Sequence, residues 1–145
     1  MKNEERFKLR VSANLLLIKD NNILLLRRYK TPWGNGKYTV ISGHIDGNET
    51  IAEAMVREAK EEAGIELEAA HLITVHAMHR IADIECIDFF LTADSWKGEP
   101  KNTEPDKADD VRWFSLNDLP HNILPNIKAA IHYYQSHIAF SEEQV

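Results

Sequence analysis

GHIDGNETIAEAMVREAKEEAGI, residues Gly43 to Ile65, is the stretch whose reading decides how this 145-residue chain folds. Thr50 with Glu53 three residues on is a capping-box pattern, and Gly64 before Ile65 is a left-handed helix stop. A helix is therefore predicted from Ile51 to Ala63. At about 100° per residue, Ala52, Met55, Val56, Ala59 and Ala63 fall on one face, while Glu58, Glu61 and Glu62 share a separate arc. The first face is expected to pack, and the second concentrates negative charge. Carboxylates about 6 Å apart repel by up to roughly 3 kcal/mol per pair at an effective dielectric of about 20, before salt screening. Lys60 points away from the cluster, and Arg57 is expected to reach only its flank at Glu61. An all-oxygen ligand set of this kind suits a hard divalent cation, Mg²⁺ or Mn²⁺, which accepts phosphate oxygens as its remaining ligands. The ordinary alternative is a solvated acidic helix face.

Spacing decides between them. Gly43, five residues, Glu49, seven residues, then Arg57-Glu58-Ala59-Lys60-Glu61-Glu62-Ala63-Gly64-Ile65 resembles the Nudix box, Gx5Ex7REUxEExGU, at every fixed position. Ala59 is small where a bulkier aliphatic is common, and Ser42-Gly43-His44 stands where many relatives read Pro-Gly-Gly. The resemblance implies the Nudix fold, an α/β/α sandwich with a mixed β-sheet, the box helix on one side and a C-terminal helix on the other. It also implies that the Ser42 carbonyl contributes a metal ligand, that Arg57 orients a catalytic carboxylate, and that Glu49 supports the loop from behind the ligands. Glu58 and Glu62, at i and i+4, are the expected principal Mg²⁺ ligands, with Glu61 a further ligand or the water-activating base.

Length and composition set the outer bounds. At 145 residues the chain fits one domain, 1–145, with the box at 43–65. The net charge of −6 argues against a general nucleic-acid or membrane surface, so the expected partner is a small nucleotide, with the protein a monomer or homodimer. No apolar run is long enough to span a bilayer, and MKNEERFKLR lacks a signal-peptide core, so a cytoplasmic location is expected. A single cysteine, Cys86, makes no internal disulfide and reads as a buried thiol.

In chain order, Val11–Asp20 and Asn22–Lys30 read as a β-hairpin about a turn at Asp20-Asn21-Asn22. Arg27, Arg28 and Lys30 then meet a polyphosphate or form a solvated strand end. Thr31–Lys37 is a loop, and Tyr38–Ile41 a strand running into Gly43. Gly43 and Gly47 are expected to let the backbone curl towards the metal, and His44 contacts phosphate or packs at the loop. Leu67–Met78 and Ile84–Ala93 read as a hairpin through Arg80–Asp83. Asp94–Lys107 is a long polar loop and the expected lid, in which the resemblance points to Glu104 as an acid that assists the metal or activates water. Val111–Phe114 should be a strand, Ser115–Pro120 a capped turn, and a terminal helix should start after Leu124-Pro125 with Ile127, Ala130, Ile131 and Tyr134 inward.

The reaction implied is Mg²⁺-dependent attack of water on a phosphoanhydride of a nucleoside diphosphate linked to another group. The form expected is a nucleoside triphosphate, oxidised or non-standard bases included, giving monophosphate and pyrophosphate. Alternatives are a nucleotide-sugar hydrolase and a nucleotide-sensing module without turnover. The proline that ADP-ribose-cleaving relatives carry about fifteen residues past the box is replaced by Arg80-Ile81. Candidate base contacts are Trp33, Phe90, Trp113 and the Asp109-Asp110 pair, each of which is otherwise an ordinary core or surface residue.

Overall fold

The computed structural model describes residues 5–144, so the first four residues of the charged opening lie outside the described range. Within it the elements are β1 (Arg10–Leu15), β2 (Ile18–Lys19), β3 (Asn22–Arg28), β4 (Tyr38–Thr39), β5 (Ile41–His44), α1 (Ile51–Ala63), β6 (Leu72–Ile81), β7 (Cys86–Ala93), β8 (Ala108–Ser115), α2 (Pro125–Gln135) and β9 (Phe140–Gln144). A mixed sheet runs β5-β1-β7-β6-β9, with β1 parallel to β7 and β6 parallel to β9. A second, antiparallel sheet is built on β3, which pairs with β2, β4 and β8.

Two apolar clusters define the layers. Ala54, Met55, Ala59 and Ala63 of α1 pack with Ala13, Leu15, Leu24, Leu26 and Leu91 of the strands. Ile127, Ala130 and Ile131 of α2 pack with Ile23, Leu25, Met78 and Phe90. Alternation along β3 sends Leu24 and Leu26 to one cluster and Ile23 and Leu25 to the other, so the strands lie between the two helices in an α/β/α arrangement. Helix α2 begins at Pro125, where a missing N–H costs nothing, as the sequence indicates.

The first predicted hairpin is only partly formed. Asp20 and Asn21 take left-handed φ of 52° and 62° and close β2 onto β3, but β1 leaves for the other sheet. Its polar residues explain the departure: Ser12 Oγ donates to the buried Asp88 at 2.7 Å, and Asn14 donates to Ser12 Oγ and to the Phe89 carbonyl. Arg80 Nε completes this group at 3.0 Å from Asp88. Buried polar groups need partners, and β7 supplies them.

Three further differences stand out. Leu67–His71 is not strand, since Ala69–His71 forms a 3-10 turn before β6. β9 was not anticipated; buried His76 holds it through Nδ1 to the Ile138 carbonyl at 2.7 Å and Nε2 to Ser141 Oγ at 2.8 Å. Finally, β8 carries one extra residue. Arg27 faces Asp110 and Arg28 faces Ala108, leaving Asp109 as a bulge. Ala108 therefore joins the cluster under α1, although Asp110 lies two residues away on the opposite face with Tyr38.

Candidate active site

Helix α1 has the predicted ends. Thr50 and Glu53 make both bonds of the capping box, and Gly64 closes the helix at φ 68°. Ala54 is buried as well as the expected Met55, Ala59 and Ala63; Val56 packs against the same cluster while partly buried, and Ala52 is only partly buried. The fixed helix presents its acids to a cleft of about 370 Å³. Ser42, Glu58, Glu61, Glu62 and Glu104 line it together with Arg28, Lys30 and Lys107. Lys107, whose Nζ lies 3.6 Å from Glu104, was not legible as a site residue. Its only signal is its place three residues after Glu104.

Arg57 is the organiser of the acidic side, and its reach is wider than the sequence suggested. Its Nε and Nη2 hold both oxygens of Glu49 at 3.2 and 2.8 Å, while Nη1 donates to Glu58 Oε1 at 2.6 Å. Glu61 Oε2 lies farther off at 3.7 Å, and Nη2 also approaches the His44 carbonyl at 3.3 Å. A planar guanidinium can bridge the loop and the helix in this way because its donors form a rigid fork. Glu49 accepts in addition from the Asp46 N–H at 3.1 Å, which fixes the turn before the helix. Lys60 does point away, pairing with Glu66 at 3.3 Å.

The two loop glycines differ in their reasons. Gly47 has φ 87°, a left-handed conformation that favours glycine. Gly43 is ordinary strand, contrary to expectation, and is needed for space: a Cβ there would overlap the carboxyl of Glu58. Beside it the Ser42 N–H donates to both oxygens of Glu62 at 3.3 Å.

Burial pushes the pKa of Glu58 above the ordinary carboxylate range, with Glu61 and Glu104 adding to the effect and Arg57 opposing it. Glu62 is pushed well above, first by burial and then by Glu58 and Glu104, against the Ser42 N–H and Arg28. Burial and neighbouring carboxylates thus oppose the ionisation of Glu58 and Glu62, and the donors around the opening are all hard oxygens. That chemistry fits a divalent cation of the Mg²⁺ type. Among the described residues no three acidic, histidine or cysteine side chains already close around one point.

Other expected contacts are distributed unevenly. Arg28 lines the cleft, and burial lowers its pKa against the pull of Glu62. Arg27, on the other face of β3, is not brought there; it pairs with Asp109 at 2.7 Å. His44 is exposed and lines a separate hollow with Leu9, Arg10 and Val11. Phe90 is fully buried, Trp113 packs beside Trp96, and Asp110 is taken by Tyr38 and Arg112. Trp33 is 58% exposed, and the Arg28 guanidinium covers its ring at 3.8 Å. The loop Asp94–Lys107 is not a free lid. Lys97 pairs with Glu66 in a two-bond bridge, Lys101 N–H donates to the Ala63 carbonyl, and Thr103 Oγ1 donates to the Glu61 carbonyl at 2.6 Å. No described helix is long and apolar enough to cross a membrane.

Comparison with known proteins bears on the family and the fold. The family model described as NUDIX domain matches residues 8–135. The chain is 33% identical over 111 residues to an ADP-ribose pyrophosphatase of Methanocaldococcus jannaschii, covering 76% of this chain and 64% of that protein. It is 30% identical over 109 residues to an oxidized purine nucleoside triphosphate hydrolase of Danio rerio, covering 73% and 67%. The chain thus spans about two thirds of the length of these relatives. Its fold is similar to the crystal structure of a MutT NUDIX hydrolase from Burkholderia pseudomallei, with a TM-score of 0.80, 28% identity, and 87% of this chain and 98% of that one covered.

Proposed function

Because the chain belongs to the NUDIX domain family, we propose that it is a cytoplasmic, single-domain pyrophosphohydrolase that cleaves the phosphoanhydride of a nucleoside diphosphate derivative. The preferred substrate is a nucleoside triphosphate, oxidised bases included, giving monophosphate and pyrophosphate. One observation carries this reading: Glu58, Glu61, Glu62 and Glu104 share a single cleft with Arg28, Lys30 and Lys107. Such a mixture matches a polyphosphate and its counter-cation better than either alone.

Glu58, Glu61, Glu62 and the Ser42 carbonyl would hold Mg²⁺ or Mn²⁺, and a cation there offsets charge on bridging oxygens and acidifies water. The chain's own residues do the rest. Arg28, Lys30 and Lys107 bind phosphate oxygens. Arg57, anchored on Glu49, fixes Glu58 in orientation. Glu61 or Glu104 accepts the proton of the attacking water as the phosphorus–oxygen bond to the leaving phosphate breaks.

A second reading, hydrolysis of a nucleoside diphosphate sugar, is favoured by the similarity to an ADP-ribose pyrophosphatase. Product analysis separates the two on a nucleotide panel with Mg²⁺ or Mn²⁺. Monophosphate with pyrophosphate supports the first, and two monophosphate products support the second. Tight nucleotide binding with no metal-dependent turnover on any member of the panel would overturn both in favour of a sensing module.

A further inference from the structure

Glu104 reaches the cleft from a loop, whereas the other acids stand on one helix, so the distance between the two depends on how the loop is tied down. The fixing comes from its two predecessors. Thr103 Oγ1 donates to the Glu61 carbonyl at 2.6 Å, and Asn102 Nδ2 donates to the Ala108 carbonyl at 2.7 Å while its Oδ1 accepts from the Glu104 N–H at 3.2 Å. Glu104's own carbonyl then accepts from both the Lys107 and Ala108 N–H groups. We propose that Asn102 and Thr103 are positioning residues that lock Glu104 in register with Glu58, Glu61 and Glu62, one clipping the loop to β8 and the other to the last turn of α1; this rests on the functional reading above.

The helix end makes the second clip possible. The last carbonyls of a helix have no partner within it. Here the Lys60 carbonyl is taken by the Gly64 N–H, that of Ala63 by the Lys101 N–H, and that of Glu61 by Thr103. The approach is close at Gly64, whose φ of 68° favours glycine and where an added Cβ would lie 3.0 Å from Thr103 Cγ2 and 3.2 Å from Lys101 Cε. Gly64 therefore serves both the left-handed stop and the seat of the loop. Thr103 itself is exposed, so its hydroxyl adds little to global stability. A side chain that contributes little to folding but bonds the backbone of a cleft acid is placed to set geometry.

The test compares T103V, which keeps the shape and removes the hydroxyl, with T103S, which keeps the hydroxyl, and with N102A. Calorimetric titration of Mn²⁺ without nucleotide, kcat and KM on the best nucleotide, and Tm are measured for each. T103V is expected to lose roughly tenfold in Mn²⁺ affinity or in kcat, with KM for nucleotide within about twofold and Tm within about 3 °C of the unaltered protein. T103S should stay at the unaltered level, and N102A should fall in the same quantity as T103V. T103V equal to the unaltered protein in both quantities overturns the inference, as does an equal fall of T103V and T103S. Unaltered protein that neither binds Mn²⁺ nor turns over a nucleotide overturns the functional reading, and the inference with it.

Discussion

The carboxyl group of Glu58 lies directly against the bare Cα of Gly43, in the space a side chain at that position would fill. Arg57 Nη1 donates to Oε1 of the same carboxyl at 2.6 Å, so any shift that makes room for a side chain at Gly43 also disturbs that bond. Gly43→Ala is accordingly expected to displace Glu58, lower kcat by about 100-fold and destabilise by about 1–3 kcal/mol. Single-turnover kinetics and thermal melting of the same sample check it; full activity in a normally folded variant would mean that Glu58 tolerates displacement.

The pKa values of Glu58 and Glu62, raised chiefly by burial, make the metal-free fold sensitive to pH. A carboxyl whose folded pKa exceeds its unfolded value contributes stability fully present below the unfolded value, about 4.3, and lost as pH rises through the folded one. Melting in chelator should therefore worsen from acidic towards mildly alkaline pH. Saturating Mg²⁺ should restore Tm, and restore more of it at high pH than at low. Glu62→Gln should melt higher than the unaltered protein in chelator at pH 8 while losing about 100-fold in activity. A Tm gain from Mg²⁺ that is the same at all pH values contradicts this.

Adjacent arginines on β3 should behave differently. Arg28 lines the cleft and Arg27 pairs with Asp109. Arg28→Ala is expected to raise KM for a nucleoside triphosphate roughly tenfold or more, the loss of a charge-assisted phosphate contact. Arg27→Ala should leave KM within about twofold and cost under about 1 kcal/mol, since its ion pair is partly exposed. Steady-state kinetics on the two variants decides.

Asp88 should matter for folding alone. It is buried and accepts from Ser12 and Arg80. Asp88→Ala strands the half-buried Arg80 and is expected to destabilise by about 3–5 kcal/mol. Denaturant unfolding measures that loss, and kcat of the folded fraction should be unchanged.

What was legible follows from where the information is local. Thr50, Glu53 and Gly64 set the ends of α1 within a few residues of each other, so the helix and the arc of its acids could be read directly. The departure of β1 could not, because it depends on Asp88, 76 residues from Ser12. The reach of Arg57 across to Glu49 and Glu58 needed the turn at Gly47 to be folded first, which helix geometry alone does not contain. His44 sits in the box pattern, yet alternation along β5 and the approach of Val11 leave it outside the cleft. β9 rests on His76 against Ser141 and on the Tyr133 hydroxyl donating to Glu143, contacts that no local pattern in Phe140–Gln144 announces.

The bulge at Asp109 acts as a phase shifter in β8. One surplus residue turns Ala108, and the chain leading back through Lys107 to Glu104, towards the opposite side from where strict alternation would send them. Removing it would leave the length of the strand nearly unchanged but invert the parity of everything before it. The carboxylate and lysine that now line the cleft would be carried to the wrong side of the sheet, and the proposed site would be dismantled without any member of the box being altered.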